Sequence, residues 1–308
     1  MLYLIIDSWS CPQFKDAFLS NPNFESDVNS LVAGLDDQSR RTVESIVRFV
    51  RCYAHVDSPD RHRLLEVEPS LCPFITPEDW LHVTNDKRHS QMQKVRYFPD
   101  LRASEEYILK SELVVLVHGL AYVPGGIASV KGKTVLDIGA YRGDSALVLS
   151  RICEPDHIYS FEPTPTVYQS LVSVVEHYKL KVTPVNCGAG ANSGKVRFNA
   201  SDMGWGQVSD SGNIEIPIMR VDDFVQENKV QNIGLIKVDT EGYEQDVLVG
   251  ARETIRSHRP ILLLSMYHHA EQFLNMRKWV EEIRSDYRYM IRRTNPQAVI
   301  DETYLICY

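Results

Sequence analysis

Val135-Leu-Asp-Ile-Gly-Ala-Tyr-Arg-Gly-Asp-Ser145 joins a short apolar run to a glycine turn and then to a helix start. Thr134 to Ile138 is β-branched and aliphatic, the composition of a central parallel strand covered on both faces. Gly139 and Gly143 bracket a turn in which the backbone can take positive φ or come close to a ligand. Ser145 and Ala146-Leu-Val-Leu149 then open a helix. Its first N–H groups face the region above the strand's C-terminal end, where open α/β sheets bind ligands.

The glycine spacing selects among cofactors. It is G-x-x-x-G (Gly139, Gly143), whereas a dinucleotide turn reads G-x-G-x-x-G and uses its second glycine to clear space for a pyrophosphate. Ala140 and Tyr141 crowd that place. Asp137 would repel a pyrophosphate, yet it can accept hydrogen bonds from a cationic amino-acid group or from the turn's own N–H groups. The turn therefore suits S-adenosylmethionine better than NAD, with bracing of its own turn as the competing role for Asp137.

The 308 residues suffice for one large or two modest domains, and 44% hydrophobic with 24% charged residues is ordinary for a globular protein. A net charge of −8 without a basic tract argues against a nucleic-acid backbone as the main partner. Met1-Leu-Tyr-Leu-Ile-Ile6 is apolar, but it lacks a basic n-region and meets Asp7 too early for a signal peptide. Leu113 to Val117 is too short to span a membrane and is interrupted by His118-Gly119. The expected location is the cytoplasm. The six cysteines form no C-x-x-C pair and read as free thiols.

Residues 1 to about 110 are charge-rich and helical in pattern. Asp36 caps a helix with Val43, Ile46, Val47 and Val50 on one face, and Glu44–Arg48 is a favourable i, i+4 pair. Pro59 to Ser90 reads as irregular with a short helix, and Ser104 to Leu120 as another amphipathic helix. This N-terminal cap region carries no evident chemistry; shaping an acceptor site and forming a homodimer are its two candidate uses. Residues 111–308 form the remaining domain.

Within that domain the second strand is His157 to Phe161. It ends at Glu162-Pro163, where an acidic residue can take both hydroxyls of a ribose. Thr164 and Pro165 then start a helix with Tyr168, Leu171, Val175 and Tyr178 inward. Lys181 to Val185 is a third strand, and Asn186-Cys-Gly-Ala-Gly190 leaves room for a flat base beside Cys187 and Gly188. Ser201 to Gly212 is loop-like and offers Trp205 to an acceptor ring. Leu235 to Val238 is an apolar strand ending in Asp239-Thr-Glu-Gly-Tyr-Glu244, which sets Asp239 and Glu241 at the sheet's C-terminal edge. A helix from Tyr243 to Ser257 and an apolar strand from Ile261 to Leu264 follow. Then come Ser265-Met-Tyr-His-His269 and two closing strands, Tyr287 to Ile291 and Thr303 to Cys307.

Taken together, these marks resemble the FkbM family of S-adenosylmethionine-dependent methyltransferases. Those that carry the resemblance are Val135 to Ser145, Tyr159-Ser-Phe-Glu-Pro163, Ile236-Lys-Val-Asp-Thr-Glu-Gly-Tyr-Glu244 and Arg259-Pro260. The resemblance implies a class I, Rossmann-like fold: a seven-stranded, mostly parallel sheet with an antiparallel closing strand. It also implies O-methylation of a hydroxyl on a sugar or other natural product. Candidate cofactor contacts are Asp137, Gly139, Ala140, Tyr141, Gly143, Asp144 and Ser145 at the first turn, Glu162 and Pro163 at the second, and Cys187, Gly188 and Asp239 beyond. Asp239, Glu241, His268 and His269 are candidates for the base, and Trp205 and Tyr267 for acceptor contacts. Helix capping is the alternative role for Glu241. A paired-carboxylate metal site at Asp239 and Glu241 lacks an evident third ligand, so no metal is expected. A catalytically degenerate binding module and an NAD-linked oxidoreductase are the rival readings. The first keeps the same fold, and the second needs the missing glycine.

Overall fold

The structure is a computed structural model. It describes residues 2–7, 10–52, 62–67, 119–200, 206–209, 211–293 and 300–308. In chain order the elements begin with β1 (Leu2–Asp7), α1 (Ser10–Ser20), α2 (Phe24–Val32), α3 (Asp37–Cys52) and β2 (His62–Val67). Two short helices, α4 (Gly119–Ala121) and α5 (Gly126–Val130), lead into β3 (Thr134–Ile138), α6 (Asp144–Ile152), β4 (His157–Phe161), α7 (Pro165–Tyr178) and β5 (Val182–Val185). Next come β6 (Gly188–Ala189), β7 (Gly194–Ala200), β8 (Gly206–Val208), β9 (Ile214–Met219), α8 (Val221–Glu227) and β10 (Ile233–Val238). The chain closes with α9 (Glu244–Gly250), α10 (Arg252–His258), β11 (Ile261–Ser265), α11 (Ala270–Ile283), β12 (Tyr289–Arg293) and β13 (Thr303–Cys307).

Seven strands form one sheet in the order β12-β13-β11-β10-β3-β4-β5. The five from β11 to β5 run parallel. Arg288 and Tyr308, just outside β12 and β13, exchange reciprocal N–H···O bonds of 2.8 and 2.9 Å, the signature of an antiparallel pair. The mixed α/β class expected from sequence is therefore present. β3 and β10 are buried at every position, as strands covered on both faces must be.

By its contacts the chain divides into two compact units. The first comprises residues 1–100, 266–278 and 289–305. Phe14 packs edge-on against Phe18 and Phe273, with ring centroids 5.6 and 5.8 Å apart. Asp36 caps α3 by accepting the Ser39 N–H at 2.8 Å, and Val43, Ile46, Val47 and Val50 are buried as their spacing requires. The buried Arg292 guanidinium reaches Asp36 at 3.0 Å and Ser39 Oγ at 2.7 Å. His62–Val67 is a strand antiparallel to β1, in a stretch expected to be irregular. Its partner lies nearly sixty residues away, so no local signal marks it.

The second unit comprises residues 101–265, 279–288 and 306–308. It holds a second sheet, order β6-β9-β7-β8, whose inward residues Phe198, Ile216 and Ile218 form a separate apolar cluster. Two expectations need correction here. On α7 Leu171 and Val175 are buried as expected, but Val167 and Val174 complete the buried stripe while Tyr168 and Tyr178 are half-buried. The helix expected over Tyr243 to Ser257 is two helices broken at Ala251. At the break Asp222 accepts hydrogen bonds from Glu253 N (3.1 Å), Thr254 N (2.8 Å) and Thr254 Oγ1 (2.7 Å), giving α10 its own N-terminal cap. The residues chosen as its buried side, Val247, Leu248, Ala251 and Ile255, are buried. Most of the helix expected over Ser104 to Leu120 lies outside the described residues. Among the described residues no helix is long and apolar enough to cross a membrane.

Candidate active site

Three parallel strands end side by side, and their ends are locked together. The N–H groups of Gly139 and Ala140 both donate to Phe161 O, at 3.1 and 2.9 Å, and Asp239 N donates to Ile138 O at 3.0 Å. A Cβ on Gly139 would overlap the Asp239 carbonyl oxygen, and Gly139 sits at φ +81°. The glycine is required by the approach of two strand ends. Gly143, at φ +91°, lets the start of α6 lie against Leu171 and Val174 of α7. Tyr141, at φ +46°, completes the turn between them.

Beneath the turn lies a buried polar row. Parallel register sets Asp137 between Lys237 on β10 and Ser160 on β4. Asp137 is fully buried; its Oδ2 accepts from Ser145 Oγ at 2.7 Å and Ser160 Oγ at 3.1 Å, and its Oδ1 lies 3.5 Å from Lys237 Nζ. Lys237 Nζ also donates to Gly139 O at 2.6 Å. These contacts tie Asp137 to β4, β10 and the first turn of α6. Sequence reasoning left Lys237 out of the candidate set. The signal was available: a lysine inside an otherwise apolar buried strand needs a paired charge.

Two further carboxylates lie at this edge. Burial pushes Asp144, first residue of α6, up to about 6; the Lys237 ammonium opposes the shift and Asp137 adds to it. Glu162 is pushed up to about 7, again chiefly by burial and against the pull of Thr164, Lys237 and the Tyr141 N–H. Its Oε1 accepts the Thr164 N–H at 2.7 Å, while Asn186 Nδ2 donates to the Glu162 carbonyl at 2.9 Å. Thr164 holds the N-cap position of α7 without a side-chain capping bond.

Above the strand ends opens an apolar cleft with about 530 Å³ of empty space, its mouth included. Ile138, Gly139, Phe161, Pro163 and Thr164 line it from the large sheet, Gly188, Ala189, Phe198, Ile216 and Ile218 from the small one, and Thr240, Glu241 and Tyr243 from the loop after β10. At one side of it Pro163 lies close to the small residues Gly188 and Ala189. Cys187 is buried beside it with Sγ 3.2 Å from Gly188 O, and burial raises its thiol to about 11, so it remains a neutral packing group.

The loop after β10 is shaped by a residue absent from the candidate set. Glu244, fully buried at the start of α9, accepts from Thr240 N (2.8 Å), Thr240 Oγ1 (3.1 Å) and Gly242 N (3.4 Å). These bonds tie the loop to the start of α9. Glu241 takes φ +55° and lines the cleft, and Asp239 is half-buried at the strand end. Tyr267, His268 and His269 belong to the first unit. There His268 is buried and its ring lies 4.2 Å, centroid to centroid, from that of Tyr267. Trp205 lies outside the described residues.

A seven-stranded sheet of this order with polar strand ends around a glycine turn is that of a Rossmann-like methyltransferase. Residues 137–289 match the model of the methyltransferase FkbM domain, and the chain carries that domain. With the match comes the cofactor that the sequence resemblance implied, S-adenosylmethionine. A hexuronic acid methyltransferase of Haloferax volcanii, AglP, is 28% identical over 124 residues, which cover 39% of this chain and 51% of that protein. The chain thus spans about half the length of this relative. Among solved structures, an FkbM methyltransferase from Methylobacillus flagellatus is 21% identical and superposes with a TM-score of 0.47 over 89% of this chain and 72% of that one. A fibrillarin from Aeropyrum pernix with bound S-adenosylmethionine gives 14%, 0.39, 63% and 72% respectively.

Proposed function

We propose that the protein is an S-adenosylmethionine-dependent O-methyltransferase acting on a hydroxyl of a sugar or glycan. The observation that carries this reading is the convergence of the Gly139 turn, Glu162 and Asp239 on three interlocked strand ends beside an apolar slot. Glu162 takes the ribose hydroxyls, Pro163, Gly188 and Ala189 hold the base, and the N–H groups opening α6 face the amino-acid end. The cofactor supplies an electrophilic methyl group. An acceptor oxygen held about 3 Å from it in line can gain roughly 7–11 kcal/mol from positioning alone. The similarity to AglP supports a sugar acceptor. Residues 111–308 act as the methyltransferase domain and residues 1–110 as an accessory region.

An aliphatic hydroxyl becomes a good nucleophile only as its proton leaves, and a carboxylate in hydrogen-bond reach adds about 10²–10⁴-fold. Asp239 is the first candidate for that base, with Glu241 beside it. An Asp239→Asn variant, assayed at saturating cofactor, is expected to lose that factor in transfer of labelled methyl groups to hexuronic acid glycosides. Full turnover in that variant would remove Asp239 from the role.

A further inference from the structure

Asp239 is anchored on both sides. Its own N–H donates to Ile138 O at 3.0 Å, and the next peptide N–H, that of Thr240, donates to Glu244 Oε1 at 2.8 Å. The same oxygen accepts from the Thr240 hydroxyl at 3.1 Å and, beyond Glu241, from the Gly242 N–H at 3.4 Å. Donors from one turn thus converge on a single oxygen of a fully buried side chain. Between Thr240 and the helix, Glu241 stands at φ +55° and Gly242 at φ +104°. Backbone of this kind turns its N–H groups to one side and forms a concavity that takes an anion. A non-glycine residue keeps such a φ only where its surroundings hold it there.

We propose that Glu244 is the positioning residue of this loop: its carboxylate preforms the turn over residues 239–243, so that Asp239 at the strand end and Glu241 in the cleft wall are in place before a ligand arrives. The proposal rests on the cofactor reading above, in which the cleft lined by Thr240, Glu241 and Tyr243 receives S-adenosylmethionine. Glu244 does not line that cleft, so it acts through the loop. A wall already fixed in the empty protein spares the ligand the cost of ordering it, and affinity falls when the anchor is lost.

The chemistry asked of Glu244 is acceptance by one oxygen. Glu244→Gln keeps a carbonyl oxygen there, and Glu244→Met keeps the length without an acceptor. Calorimetric titration with S-adenosylhomocysteine tests the role, at a temperature where circular dichroism shows each variant fully folded. Glu244→Gln is expected to bind within about threefold of wild type, and Glu244→Met about tenfold or more weaker. A carboxylate that only stabilised the fold would lower the melting temperature of Glu244→Met and leave its affinity unchanged, and that result overturns the proposal. So does a Glu244→Gln variant as weak as Glu244→Met. Should Glu244→Met fail to fold, hydrogen exchange of the wild-type protein decides. The Thr240 and Gly242 amides are expected to be protected without ligand; exchange that slows only when S-adenosylhomocysteine is bound overturns the preformed loop. Wild-type protein that binds no S-adenosylhomocysteine sinks the cofactor reading itself, whereas binding that Glu244→Met leaves intact sinks only the role of Glu244.

Discussion

Glu162 shows how burial turns one side chain into a pH-dependent feature. Its folded value of about 7 stands above the ordinary 4.5, so between those values the folded protein keeps a proton that the unfolded chain has released. Stability must then fall as pH rises through this window, by on the order of 3 kcal/mol once the group is ionised. Asp144, raised from 3.8 to about 6, adds its own fall at the lower end. Urea unfolding at several pH values checks this. Glu162→Gln is expected to remove the upper part of the slope and to be more stable than wild type at pH 8, while losing cofactor affinity; an unaltered slope contradicts the assignment. The glutamate itself was legible as a strand-end acid. The pairing of Lys237 with Asp137 was not, because that depends on the register of β10 against β3, which no local pattern encodes.

At the scale of elements, local chemistry predicted the starts and ends best where capping and burial agree. β4 and β13 match their expected ranges, and α3 begins where Asp36 caps it. The break between α9 and α10 was invisible because its cap, Asp222, comes from a different helix some thirty residues earlier. Gly250, beside the break, has no room for a Cβ against the Gly190 carbonyl, so the helix path there is set by the small sheet. Asp222→Ala is expected to lower stability by about 1–2 kcal/mol, the worth of an N-cap. It should leave S-adenosylhomocysteine affinity intact, since Asp222 does not line the cleft. Paired denaturation and binding measurements separate the two effects; an unchanged urea midpoint would show that the cap contributes nothing. The small sheet was not foreseen as a sheet, and its β8 lies in Ser201 to Gly212, a stretch expected to be loop-like. Its pairing of β6 with β9 and of β7 with β9 joins segments that look exposed and weakly patterned one by one.

For the whole molecule, the central strands, glycine turn and acidic strand ends were legible because each is a short, continuous stretch with its own steric or electrostatic demand. The division into two units was less so, since residues 266–278 and 289–305 group with the N-terminal hundred residues across a long sequence separation. The turn after β3 is closed from one side by the Asp239 carbonyl and from beneath by Lys237 and Asp137, and it lacks the second glycine that a pyrophosphate-binding turn uses. Calorimetric titration of the purified protein with S-adenosylhomocysteine, and with NAD as the comparison, tests this most directly. The site described here predicts micromolar binding of S-adenosylhomocysteine and none of NAD. A folded sample that binds NAD, or that binds neither, would contradict it.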